Sequence, residues 1–192
     1  MPAIVSLLRG VNLGSHRRLK MDELRKVYDS LGLKNVQTLL QSGNVVFTTT
    51  KADPRLAKRI EDAIEKTFGF HSDIVLRTTA ELRDVIARNP FAKRPGIEPS
   101  KLLVWFLAGD PGSDAREKVL QIKTDPEELR IADRELYIYY HNGMARPKIP
   151  MALIERTLKT VGTGRNWNTV RKLLEIAESI EAASGSSRKT PS

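Results

Sequence analysis

The chain has 192 residues, of which 40% are hydrophobic and 29% charged, and it carries a formal net charge of +9. Cysteine is absent, which excludes a disulfide scaffold, a thiolate nucleophile, a Cys-ligated metal and an iron–sulfur cluster. No apolar stretch approaches the roughly 18 residues that span a membrane, and the N-terminal apolar run stops at Arg9, too early for a secretion signal, so a cytoplasmic protein is expected.

In chain order, residues 3–9 form an aliphatic, β-branched run that predicts a buried strand, followed by a Gly/Asn-rich loop over residues 10–20. Met21, Leu24, Val27, Tyr28 and Leu31 recur at helical spacing, with Asp22 and Glu23 at the positive end and Gly32 as the stop. Residues 36–41 and 45–50 predict two strands joined by a tight turn at Ser42, Gly43 and Asn44, with Asn44 suited to left-handed backbone. Asp53 followed by Pro54 predicts an N-cap and a helix on Leu56, Ile60, Ile64 and Phe68. A fourth strand covers residues 74–77, and Thr78 with Glu81 forms a capping-box pattern opening a helix through Leu82, Val85 and Ile86.

After a proline-rich, basic segment the order begins again. Strands are predicted at residues 102–108, 129–132, 136–140 and, weakly, 163–167, with helices at 115–122, 151–158 and 170–180. Ile4 to Gly10 aligns with Leu103 to Gly109, and Arg77 to Arg83 with Arg165 to Arg171. A repeat of about 90 to 100 residues is too long for a solenoid and predicts an α+β fold built from two tandem ferredoxin-like (βαββαβ) subdomains, each with a trailing helix. The expected boundaries are residues 1–89, a linker at 90–100, a second subdomain at 101–182 and a disordered tail at 183–192. A single mixed sheet through both halves is the alternative.

Topology predicts that the loop after the first strand and the 42–44 turn share one edge of the sheet. The loop holds Arg9, Arg17, Arg18 and Lys20 with His16, and it leads into a helix N-terminus, where free N–H groups and the helix dipole favour an anion. Gly14 and Gly43 would let backbone approach a ligand, with Asn12, Ser42 and Asn44 supplying directional hydrogen bonds. The structural alternative is that the glycines serve turns and the basic loop is solvated.

A second cluster is Arg165, Asn166, Trp167 and Asn168. Either Asn168 caps the last helix and Trp167 is core, or Arg165 and Asn166 point into a cleft between the halves and complete the ligand site. The Gly162-Thr163-Gly164 stretch lacks the third glycine and the preceding strand of a dinucleotide fingerprint. Trp105, Tyr137 and Tyr139 could share one sheet face, as a base-stacking platform or as packing between the halves. The histidines His16, His71 and His141 are far apart, and neither a metal nor a cofactor is expected. The pairs Asp62/Glu65 and Glu127/Glu128 fall on segments expected to be solvated.

The stretch Leu7-Leu8-Arg9-Gly10-Val11-Asn12-Leu13-Gly14, the Lys20-Met21 helix start, Gln41-Ser42-Gly43-Asn44-Val45-Val46-Phe47 and Arg165-Asn166-Trp167-Asn168-Thr169-Val170 strongly resemble the DUF1697 family. The resemblance implies a bacterial-type protein of two ferredoxin-like subdomains and no established activity. Three functions follow as expectations. The first is binding of a small phosphorylated or carboxylated ligand at the 9–20 loop and 42–44 turn. The second is RNA binding through a basic surface and aromatic sheet face, and the third a metal-independent enzyme acting on a phosphorylated metabolite.

Overall fold

A computed structural model of the protein describes residues 1–13, 17–50, 53–145 and 148–186. The chain divides into two compact units, Met1–Arg83 together with residues from Lys172 onward, and Asp84–Arg171. The fold is mixed α+β, with a four-stranded antiparallel sheet in each unit.

The first unit contains β1 (Ala3–Leu8), α1 (Met21–Ser30), β2 (Lys34–Leu39), β3 (Asn44–Thr48), α2 (Leu56–Phe68) and β4 (Ile74–Thr78), in the sheet order β2-β3-β1-β4. One face of the sheet packs under α1 and α2, where Leu24, Tyr28, Ile60 and Ile64 meet Leu8, Val45, Phe47 and Ile74. Tyr28 brings a hydroxyl into this core and satisfies it on Ser6 Oγ at 2.7 Å, while its ring lies 5.5 Å from Phe47. The opposite face, including Ala3, Val5, Leu7 and Val46, is buried as well. Strands covered on both sides read as continuous apolar runs, which is why β3 shows no polar alternation.

The capping box is present: Glu81 N–H donates to Thr78 Oγ1 at 3.2 Å, and Thr78 N–H donates to Glu81 Oε2 at 2.7 Å. It opens α3 (Thr79–Ala87). The start of α2 falls later than Asp53-Pro54 predicts, at Leu56. Asp53 instead closes the preceding turn, its Oδ1 accepting from Arg55 N–H at 2.9 Å.

The second unit repeats the order with β5 (Leu102–Leu107), α4 (Ser113–Leu120), β6 (Glu128–Ala132), β7 (Glu135–Tyr139), α5 (Met151–Leu158) and β8 (Gly162–Asn166), as a sheet β6-β7-β5-β8. Its core packs Leu107, Leu136 and Ile138 against Val119 of α4 and Ile154 and Leu158 of α5. The weakly predicted last strand is a full edge strand, pairing Leu103–Leu107 with Asn166–Gly162. The segment at 90–100 is anchored within this unit. Phe91 is buried, its ring 5.9 Å from Tyr139, and Arg94 holds Glu128 at 2.6 Å.

The last helix, α6 (Trp167–Ser186), starts three residues before the predicted position and continues into the segment expected as a tail. The division between units falls inside α3 and inside α6, so each of these helices serves both. Within the first unit, Glu181 of α6 accepts from Ala3 N–H and from the Thr79 hydroxyl, both at 2.8 Å. A helical residue 178 positions beyond Ala3 thereby fastens the first strand. No helix among the described residues is long and apolar enough to cross a membrane.

Candidate functional site

Because β1 and β2 both run antiparallel to β3, they are parallel to each other, and the end of β1 meets the β2–β3 hairpin at one sheet edge. Leu8 N–H donates to Gly43 C=O there at 2.9 Å. The hairpin turn occupies residues 40–43. Asn44 is the first residue of β3, buried in extended structure, and the left-handed positions are Leu40 (φ 59°) and Gly43 (φ 69°). The expected left-handed Asn44 is therefore corrected. Its amide has a structural task, donating to Leu39 C=O at 2.9 Å and Ser42 Oγ at 2.8 Å. Gly43 is required sterically, since a Cβ there would lie 2.6 Å from Val11 Cγ2 and 2.7 Å from Leu8 Cβ.

Asn12 joins loop to hairpin. It sits at φ 55°, a conformation asparagine tolerates better than most residues. Its Oδ1 accepts from Leu19 N–H at 2.9 Å, and its Nδ2 donates to Leu19 C=O at 3.2 Å and Gln41 C=O at 2.7 Å. Its backbone N–H donates to Arg17 C=O at 3.0 Å, so one residue closes the loop on itself and ties it to the turn.

A cleft of about 740 Å³ opens beside this clasp. The loop contributes Asn12, Arg18, Leu19 and Lys20, the hairpin Gln41, and the first turn of α1 Met21, Asp22 and Glu23. Lys20 is the N-cap of α1 and its side chain makes no capping bond. Two cations thus stand beside a helix start that its own N-cap side chain leaves uncapped. The two acids are engaged: Asp22 pairs with Arg25, and Glu23 lies 3.8 Å from Lys20 Nζ.

The other predicted residues are distributed differently. Arg9 faces β4, with Nη1 3.7 Å from Asp73 and its carbonyl taking the Ser72 hydroxyl at 2.9 Å. Arg17 folds back over Gly10, where a Cβ would lie 3.4 Å from its Nη1. Ser42 and Gly43 shape the hairpin without lining the cleft. Gly14 and His16 lie outside the described residues.

The side chains of the second cluster make contacts within the fold. Arg165 is buried, 7% exposed, and donates from Nη1 to Thr163 Oγ1 and Gly164 C=O, both at 2.8 Å. Burial pulls its guanidinium down to about 10, since the charged form loses hydration. Asn166, and not Asn168, caps α6: its Oδ1 accepts from Asn168 N–H at 2.9 Å, while its Nδ2 holds Ser100 C=O at 3.0 Å. Trp167 is buried.

The aromatic platform is also corrected. Val104 pairs with Tyr137 and Trp105 with Leu136, so Trp105 faces away from the side that carries Tyr137 and Tyr139. Both tyrosines are buried, and Tyr137 donates its hydroxyl to Val85 C=O at 2.7 Å. Trp105 lies instead across β8, where a Cβ on Gly162 would collide with its Nε1 and one on Gly164 would lie 2.9 Å from its Cε3. The glycines of the Gly162-Thr163-Gly164 stretch serve this close approach of the indole.

Glu127 and Glu128, read from sequence as solvated, are neither. Glu128 takes Arg94 at 2.6 Å and His141 Nε2 at 2.7 Å, and these partners, Arg94 foremost, hold its carboxyl below the ordinary range. Glu127 is buried. Sequence reading missed it because a Glu-Glu pair next to proline carries no apolar periodicity. Among the described residues no three His, Asp or Glu side chains gather where they could hold a metal ion.

The chain shares its fold with the solved structure of a conserved bacterial protein from Streptococcus pneumoniae. That match has a TM-score of 0.71 at 20% sequence identity and covers 92% of this chain and 98% of that one. No curated protein matches the sequence. The family model of DUF1697, described as a protein of unknown function, matches residues 1–137 and takes in β1, the clasped loop and the β2–β3 hairpin, so the chain belongs to the DUF1697 family.

Proposed function

We propose that the first unit binds a small anionic ligand, phosphorylated or carboxylated, in the cleft beside Asn12. The observation that carries this reading is the Asn12 clasp, which sets Arg18 and Lys20 beside the start of α1 and fixes the loop to Gln41. A helix start and adjacent cations both favour negative charge. The volume is suited to a metabolite-sized molecule. We also read the two units as ferredoxin-like plaits, a reading supported by the common strand order of the two sheets and the βαββαβ order of elements around each.

Thermal unfolding with inorganic phosphate, a sugar phosphate and a dicarboxylate, each against sodium chloride at equal ionic strength, tests the proposal. A ligand at about 100 times its Kd stabilises the folded state by about 2.7 kcal/mol, a readily measured rise in Tm. The Arg18→Ala protein is expected to melt close to wild type and to lose most of that rise. An unchanged Tm with all three compounds, or an undiminished response in Arg18→Ala, overturns the reading.

A further inference from the structure

In the second unit α4 and α5 are neighbours, held together where Val119 meets Ile154 and Leu158 in the core. Above that contact they enclose a cleft of about 450 Å³, with Pro111, Asp114, Ala115 and Lys118 on one wall and Arg156 and Lys159 on the other. The backbone that carries the two walls is tied: Ala108 N–H donates to Val161 C=O at 2.9 Å, and Gly109 N–H donates to Thr160 Oγ1 at 3.1 Å. The loop leading into α4 is thus fastened to the segment leaving α5.

Three cations, Lys118, Arg156 and Lys159, share this cleft with one acid, Asp114, so the lining carries a net charge of +2. A concavity lined by one sign of charge concentrates the opposite ion. Nearby acids are engaged elsewhere: Asp110 holds Arg116 at 2.6 Å and takes Gly112 N–H at 2.8 Å, and Glu155 takes Gly162 N–H at 3.2 Å. Among the described residues none of the three cations makes an ion pair. Arg116, two positions before Lys118, makes two, with Asp110 and Asp133. Lys159 closes α5 in the left-handed region at φ 54°, where glycine is the favoured residue. The chain carries a long cation there, against the preference of the backbone, and that side chain lines the cleft.

We propose that the cleft between α4 and α5 is a second ligand site, which binds the phosphate monoester of a small organic molecule. It lies in the other unit from the Asn12 cleft and rests on different residues. A phosphate monoester carries close to two negative charges at neutral pH, which matches the net charge of the lining, whereas a monocarboxylate carries one. The guanidinium of Arg156 suits two phosphate oxygens at once, and the lysines act as point charges beside it. Pro111 and Ala115 offer an apolar wall to the carbons of the ester. Asp114 sets a limit on the charge the site accepts and disfavours a more highly phosphorylated ligand.

The test is titration of the isotope-labelled full chain with glycerol 3-phosphate and with butyrate at matched ionic strength, followed at the backbone amides of Ala115, Lys118 and Thr157. The chain carries Arg18→Ala, so that the cleft of the first unit does not contribute and the two sites stand or fall separately. Three exposed side chains hold a ligand loosely, and resonance shifts read such binding where melting does not. Saturable shifts with glycerol 3-phosphate, none with butyrate, and affinity weakened about tenfold in Arg156→Gln are expected. Lys159→Gly separates ligand contact from fold: it relieves the left-handed backbone, so the variant should melt no lower than its parent and still bind more weakly. Shifts that do not saturate, equal affinity for butyrate, or unchanged affinity in folded Arg156→Gln or Lys159→Gly would each overturn the proposal.

Discussion

Arg77 and Arg165 occupy the same place in the two units: Arg77 pairs with Val5 in the middle of β1, and Arg165 with Val104 in the middle of β5. Both are buried, 1% and 7% exposed, and each donates from Nη1 at 2.8 Å to the carbonyl of the residue before it. A guanidinium folded back onto its own strand presents its planar donor fork to the backbone beside it. Truncation removes these bonds and leaves a cavity. We expect Arg77→Ala and Arg165→Ala each to cost about 2 to 5 kcal/mol in urea unfolding. Lysine should recover little, since it lacks the fork. A near-silent Arg165→Ala would contradict the structural role given to it.

Alkaline pH should weaken the protein through its tyrosines. Burial raises the phenols of Tyr28, Tyr137 and Tyr140 above the usual value of about 10. The folded state therefore keeps protons that the unfolded state gives up, and the associated stability is complete below about pH 10 and lost as pH rises through the folded values. Arg165 works the other way. Its folded value is depressed to about 10, so folding is penalised by its charge below that pH and relieved above it. Three phenols outweigh one guanidinium. Tyrosinate absorbance and circular dichroism should change together above about pH 10, the buried phenols ionising as the chain unfolds. Ionisation of all four tyrosines with circular dichroism unchanged would refute the assignment.

How legible these features were in the sequence depends on how local their causes are. The capping box at Thr78 and Glu81, the helix period from Met21 and the order of strands are set by neighbours a few residues apart, and they were readable. The apposition of the 9–20 loop and the hairpin followed from topology, although Asn12 as its clasp did not: the fastening is to Gln41 O, and a backbone carbonyl has no sequence signature. The two readings of the Arg165 cluster stayed open in the sequence because nothing within β8 announces that the Arg165 side chain bonds to Thr163 and Gly164. The Trp105 platform failed on register. Shifting one residue along a strand changes the face, and only the pairing of Trp105 with Leu136 decides it.

Gly162 tests the indole's position. A Cβ added there would collide with Trp105 Nε1 and fall 2.8 Å from the Phe106 carbonyl oxygen, and a backbone oxygen held in a sheet cannot yield as the end of a flexible side chain can. Gly162→Ala should therefore destabilise by about 1 to 3 kcal/mol or more, the range for overpacking a filled site. Trp105 should become more exposed, its fluorescence shifting to the red in the folded variant. A stable Gly162→Ala protein with unaltered emission would mean that the ring does not lie across β8.

Asn12 provides the means to separate fold from site in the first unit. Its side chain makes three hydrogen bonds, two of them closing the loop on Leu19 and one reaching Gln41. The cleft residues Arg18 and Lys20 lie on the stretch that these bonds hold. Asn12→Ala removes all three bonds in a partly solvated setting, so the expected loss of global stability is modest, about 1 to 2 kcal/mol. The local loss should be larger. Exchange of the Leu19 amide, which donates to Asn12 Oδ1, should quicken far more than exchange of Leu8, whose amide is held by Gly43. Asn12→Asp makes the finer distinction, because it keeps the acceptor for Leu19 and forfeits the donor to Gln41. Its Leu19 amide should stay protected while the loop parts from the hairpin, and any anion response of the cleft should fall in Asn12→Asp as it does in Asn12→Ala. If Asn12→Asp instead keeps the full anion response, the tie to the hairpin is not what organises the cleft, and the loop alone is sufficient to bind.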